Sequence, residues 1–169
     1  MAQYLIANGP MPTTAAQAVV TTGTSIKTLL QIKASATATF KILEWGISFD
    51  GFAAAAPIKC ELLETDVAAT VTASAAADIT KYDGAALAGG DPTTNLIPVG
   101  TTSTGYTSTS EGSITAVRMF DVQLIAPTNQ YVKQFPLGRE PVVQISKFGR
   151  VRVTAGAAVN AYTYMLIEV

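Results

Sequence analysis

The chain has 169 residues, enough for a single all-β domain to bury about two-thirds of its unfolded surface around a core of its own. Only 14% of its residues are charged, against roughly 25% in an ordinary soluble domain. Its 11 basic residues are balanced by 12 acidic ones, which leaves no basic face for nucleic acid. Histidine is absent, so the commonest general base and the commonest metal ligand are missing together, and no cofactor is expected.

The polar bulk comes from threonine and serine, and with a formal net charge of −1 little self-repulsion opposes close packing of copies. Such a surface suits a protein that covers itself against neighbours. The start, MAQYLIANGPMP, lacks a basic stretch followed by a long apolar core, so no signal peptide is expected. No apolar run approaches the ~20 residues that cross a bilayer, and no membrane partner is expected. A soluble protein made in a cytoplasm follows, and the single cysteine implies no oxidising compartment.

In chain order, Asn8-Gly9-Pro10-Met11-Pro12 is not a segment its own secondary structure should hold, and residues 1–15 are expected as an extended arm packed on a partner. Residues 16–169 then form one domain. SIKTLLQIK alternates Ile26, Thr28, Leu30 and Ile32 against Lys27, Leu29, Gln31 and Lys33. In TFKILEWGISFD, Phe40 and Ile42 share one phase, whereas Trp45, Ile47 and Phe49 share the other. The slip near Leu43-Glu44 predicts a β-bulge or a strand that changes sheets. PIKCELLET sets Ile58, Cys60 and Leu62 against Lys59, Glu61 and Leu63.

Residues 66–112 are rich in Ala, Gly and Thr, and are expected as a long loop or insertion with a weak helical reading for part of 73–88. Strands resume at 114–125, 130–135, 141–147, 149–154 and 160–169, with a tight hairpin expected around Phe148-Gly149. About eight strands separated by Gly, Pro, Asn and Asp predict an antiparallel β-sandwich, jelly-roll-like in character.

Candidate chemistry is sparse. Glu44 and Asp50 flank one strand and are the only pair that invites a glycosidase reading. Asp50-Gly51 is more simply the turn that closes the strand. Asp78, Asp83 and Asp91 are too irregularly spaced for a calcium loop. Gly89-Gly90-Asp91-Pro92 is a turn and not a phosphate loop, because no Gly-Lys-Ser/Thr follows it. Cys60 lacks a histidine to activate it and reads as a core thiol. Arg139, Arg150 and Arg152, with Lys147, are the only basic concentration, read as a solvated or inter-subunit face. Tyr131, Phe135, Tyr162 and Tyr164 suit core or interface packing, or a sugar-binding platform.

The segments W-G-I-S-F-D-G (45–51), P-I-K-C-E-L-L-E-T (57–65) and QYVKQFPLGREPVVQISKFGRVRVTAGAAVNAYTYMLIEV (130–169) resemble, in that order, small β-sandwich virion proteins of tailed bacteriophages. The resemblance spans roughly residues 37–66 and 114–169. It leaves out the Ala/Gly middle. Similar chains often end on acidic residues, of which Glu168 alone is kept here.

The resemblance implies a non-enzymatic capsid decoration protein. It would bind the major capsid protein on the outer surface of the head, as a homo-oligomer, in three-fold copies. No catalytic residue is carried over. Trp45, Phe49, Asp50, Gly51, Arg139, Arg150 and Arg152 are its structural or interface candidates. A tail or fibre adhesion module that holds host glycans is the alternative.

Overall fold

A computed structural model describes residues 2–52, 55–82 and 96–169. It is an all-β sandwich of two sheets, in which every strand pairs antiparallel. The first sheet runs β10 (Gln130–Gln134), β4 (Phe40–Phe49), β13 (Asn160–Glu168), β1 (Gln3–Ala7), β7 (Ile79–Lys81). Two short strands, β11 (Val142–Val143) on β4 and β2 (Val20–Thr21) on β13, complete it. The second runs β6 (Thr70–Ala73), β8 (Gly105–Ser110), β3 (Ile26–Lys33), β12 (Phe148–Thr154), β5 (Ile58–Thr65), β9 (Val117–Ile125).

The alternation read from the sequence sorts side chains to the two faces of each strand. Trp45, Ile47 and Phe49 point into the core, as do Phe40 and Ile42 from the opposite phase. Both sets can do so because the slip is a β-bulge: Leu166 pairs with Glu44 and Ile167 with Ile42, so Leu43 is the extra residue. From the second sheet Leu30, Ile32, Ile58, Leu62, Val151 and Val153 meet them. Each such buried aliphatic or aromatic side chain contributes about 1.5–3 kcal/mol.

Three expectations change. The N-terminal segment is not a free arm: Gln3–Ala7 is a strand between β13 and β7. Tyr4 and Ile6 lie in the core. Asn8 prolongs the pairing past the strand end, where its side chain donates to the Ala161 carbonyl at 3.1 Å and accepts from the Thr163 amide at 3.0 Å. QYLIA is short and borders a Gly/Pro cluster, so it carries little signal until β13 lies beside it.

The described part of 66–112 is likewise no bare loop. It supplies β6 and β8 to one sheet and β7 to the other, with a 3-10 turn at Ala76–Asp78 between β6 and β7. The rest of the helical reading, 83–88, lies outside the described residues.

The hairpin expected at Phe148-Gly149 is not formed. Instead β11 ends in the first sheet, Gln144 to Lys147 turn with Ser146 at φ 59°, and Phe148-Gly149 open β12 in the second. Gly149 serves packing there, since an added Cβ would stand 3.0 Å from the Phe40 ring and 3.1 Å from a Val143 methyl.

Candidate functional site

The two carboxylates that invited a glycosidase reading do not converge. Glu44 lies midway along β4 and Asp50 just beyond its end, about 20 Å apart along an extended chain, whereas paired glycosidase carboxyls lie within about 5–9.5 Å. Glu44 accepts from the Gln134 amide at 2.6 Å and from the Tyr164 hydroxyl. Burial, then this contact, raises the Tyr164 phenol. The Tyr164 ring lies across Gly46, where an added Cβ would be 2.5 Å from it. Asp50 accepts from the Asn160 amide at 3.2 Å at the strand end. Gly51 is wedged against Val159 and Pro127, which an added Cβ would approach to 2.7 and 2.8 Å. This pair closes the strand.

The aromatic residues also divide. Tyr131 and Phe135 pack against the core, while Tyr162 and Tyr164 lie on the outer face of the first sheet, opposite Ser48 and Gly46. They form no common platform. Asp78 spends its carboxylate on the Met11 and Ala75 amides, each at 2.8 Å. Asp83, Asp91 and the 89–92 turn lie outside the described residues.

The arginines separate as well. Arg139 is exposed in the turn after β10, and Arg152 is half-buried and bonded to Glu61 at 2.8 Å. Arg150, however, is completely buried, which corrects its assignment to a solvated or inter-subunit face. It projects from β12 on the side away from the core, beneath a cover made by Val67 and Glu111. Its guanidinium donates to the Val67 carbonyl, to the Glu111 carbonyl at 3.2 Å, and to the Glu111 carboxylate at 3.4 Å.

The same Glu111 carboxylate accepts from the Thr28 amide, the Thr28 hydroxyl and the Ser108 hydroxyl, each at 2.6 Å. Burial pulls Arg150 down to about 10, against the attraction of Glu111. It is therefore a charged structural strut at neutral pH. Trp45 and Phe49 are core residues too, so of the interface candidates only Asp50, Arg139 and the half-buried Gly51 and Arg152 reach the surface.

A buried carboxylate holds the two sheets together. Asp121 on β9 accepts from Trp45 Nε1 at 3.2 Å, from the Tyr131 hydroxyl at 3.0 Å and from Gln123 at 3.0 Å, with Lys133 Nζ at 3.3 Å. The Trp45 and Tyr131 rings pack at 5.4 Å. Farther along the same side, Arg118 grips Glu64 at 2.8 and 2.5 Å and donates to the Val142 carbonyl at 2.7 Å, joining β5 and β9 to β11. Nothing in the linear pattern announced either contact, since Trp45 is 76 residues from Asp121 and Glu64 is 54 residues from Arg118.

Two carboxyls are held below their ordinary value. The hydroxyl of Thr115, then the amide of Ala116, draws Asp66 down to about 2. Burial pushes Asp121 up, but its bonds from Gln123, Tyr131 and Lys133 prevail and lower it. A carboxyl depressed by folding stabilises the protein above its unfolded pKa, and that contribution is lost as pH falls through the folded value. The unfolding midpoint is therefore expected to decline between about pH 4 and pH 2. Asp121→Asn is expected to make that decline shallower in denaturant titrations at each pH.

Cys60 lies in the core, where burial, with Glu61 adjacent, pushes its thiol up to about 12. The native protein is expected not to react with a thiol-specific disulfide reagent, and to release one equivalent of chromophore only after unfolding.

Among the described residues no three His, Cys, Asp or Glu side chains gather as a metal site would require. A polar cavity of about 320 Å³ is lined by Thr22 to Lys27 and Ser108 to Glu111. Its carboxylate is already fully engaged by Thr28, Ser108 and Arg150.

What the surface does offer is apolar. Phe52 is 84% exposed and Leu137 96%. Four further side chains, Val117, Met119, Val122 and Leu124, stand out from β9. No family model matches the chain, and neither a curated protein nor a solved structure was found to be similar to it.

Proposed function

We propose that the protein is a non-enzymatic virion component that decorates and stabilises a bacteriophage head by binding the outer lattice of the shell as an oligomer. The observation that carries this reading is the pairing of saturated charges with unsatisfied apolar surface. Glu44, Glu61, Glu64, Asp121 and Glu111 are all taken up by partners within the chain. Phe52, Leu124 and Leu137 are left in water. An enzyme pocket concentrates available titratable groups, whereas a binding module presents apolar patches to a partner. Repeated attachment to a symmetric lattice turns weak single contacts into firm retention. The sequence resemblance supplies the identity of that lattice.

The test is co-sedimentation of the purified protein with phage particles made in the same host, with a labelled antibody locating it by electron microscopy. Recovery on heads in a fixed ratio to the major capsid protein is expected. Protein left wholly in the supernatant overturns the reading, and label confined to the tail favours the adhesion alternative. Removal of residues 1–15 would not serve as a test, because it deletes a sheet strand.

A further inference from the structure

We infer that β9 is a self-pairing edge. A second copy of this chain lies antiparallel against it across a two-fold axis that passes between Phe120 and Asp121. This contact is independent of where the protein resides.

Among the described residues β9 has a partner strand on one side only, β5, and it is nine residues long. A long edge strand with apolar side chains in water is normally blunted by charge or proline, because its free backbone groups recruit another strand. Here the opposite holds. Val117, Met119, Val122 and Leu124 are 49%, 61%, 42% and 73% exposed. Pairing with Thr65, Leu63, Glu61 and Lys59 places all four on the outer face of the sheet.

The spacing of these residues identifies the occupant. β9 carries a bulge, because Asp121 pairs with Leu62 and Met119 with Leu63, which leaves Phe120 extra. The bulge shifts the pleat, so the four outward positions become symmetric about the point between Phe120 and Asp121. An isologous contact requires a surface that matches itself on rotation, with residue i meeting j and j meeting i. In an antiparallel pair centred there, Val117 faces Leu124 and Met119 faces Val122, each twice. Both strands bend at the same place, so neither slips its pleat against the other.

The charges agree with this register. Arg118 meets Gln123 across the axis, not another cation. Within each copy Arg118 is held by Glu64 and Asp121 by Lys133. A surface specialised for a charged partner would keep one sign free. This one keeps none.

The test is sedimentation equilibrium of the full chain, of mass 17.6 kDa, beside Met119→Lys and Val122→Lys. Each lysine is expected to halve the assembly mass, whether from two copies to one or from a larger even assembly to half of it. The circular dichroism spectrum should stay that of the wild type, since both positions are exposed, and the unfolding midpoint should lose only its dependence on protein concentration and the part that association supplies. A Met119→Cys/Val122→Cys double variant is expected to form an intermolecular disulfide on mild oxidation, which Cys60 cannot contribute from the core, and this keeps the inference testable if a lysine variant misfolds. A wild-type chain that sediments as a monomer overturns the inference, as does an assembly whose mass the lysines leave unchanged. Failure of head binding with the mass change intact would overturn only the decoration reading.

Discussion

Replacing Glu111 by alanine is expected to lower the unfolding free energy by about 3–5 kcal/mol, the usual cost of leaving a buried charge without its partner. The reason lies in what covers Arg150. Its side chain is wholly inaccessible to water and its Nε finds no acceptor, so the Val67 and Glu111 oxygens carry its compensation. Alanine removes the carboxylate, takes the acceptor from the Thr28 and Ser108 hydroxyls, and leaves the Thr28 amide only the Ser108 hydroxyl oxygen at 3.0 Å.

The pair as a whole is a different matter. Two charges taken out of water recover little more than they lose, and an apolar replacement of similar volume is often neutral or better. The double variant Arg150→Met/Glu111→Gln is accordingly expected to be more stable than Glu111→Ala. A urea titration of the wild type, Arg150→Met, Glu111→Gln and their double variant measures the coupling. Equal stability of Glu111→Ala and the wild type would show that the cluster carries no strain when halved, contrary to this account.

Trp45→Ala is the second large effect, an expected loss of about 3–5 kcal/mol from the cavity left by a buried aromatic side chain. Trp45 is fully buried between the sheets and packs against Tyr131. Trp45→Phe separates packing from polarity. It keeps most of the volume but withdraws one of the donors on Asp121, a charged hydrogen bond worth about 1.5–3 kcal/mol. The remaining donors, Tyr131, Gln123 and Lys133, still hold that carboxylate.

The phenylalanine variant is thus expected between the wild type and the alanine variant in denaturant midpoint, read by circular dichroism because the sole tryptophan is gone. Its loss of stability toward low pH should also be shallower than that of the wild type, since a weaker set of donors depresses Asp121 less.

The longer strands were legible because their inner positions carry large apolar residues at period two. β3, β4, β5, β12 and β13 all show it, and even the bulge at Leu43 is visible as a break in phase. β1, β6 and β8 were not legible. Their sequences, QYLIA, TVTA and GYTSTS, are short or lack bulky residues, and a threonine-rich segment reads alike as loop and strand until a neighbour is present to pair with it. The Phe148-Gly149 pair misled for a related reason. Glycine beside an aromatic residue is a turn signal only when φ or the chain direction requires it, and here the requirement came from Phe40 across the core.

The candidate sites separate along the same line. That Glu44 and Asp50 do not converge was readable from their spacing along one strand, and the burial of Cys60 from its place in the alternation of β5. The burial of Arg150 was hidden because alternation on β12 says only that it opposes Val151 and Val153. It does not say that Val67 and Glu111 return to roof that face.

By itself, then, the sequence determined the all-β class, the inward faces of its long strands and the low share of charged residues, since each depends on residue type and nearest spacing. Only the tertiary structure decided which strands share a sheet, that the N-terminal segment pairs with the C-terminal strand, which carboxylates are saturated and which edge is left apolar. Those outcomes depend on groups tens of residues apart, and their partners exist only once the chain has closed on itself.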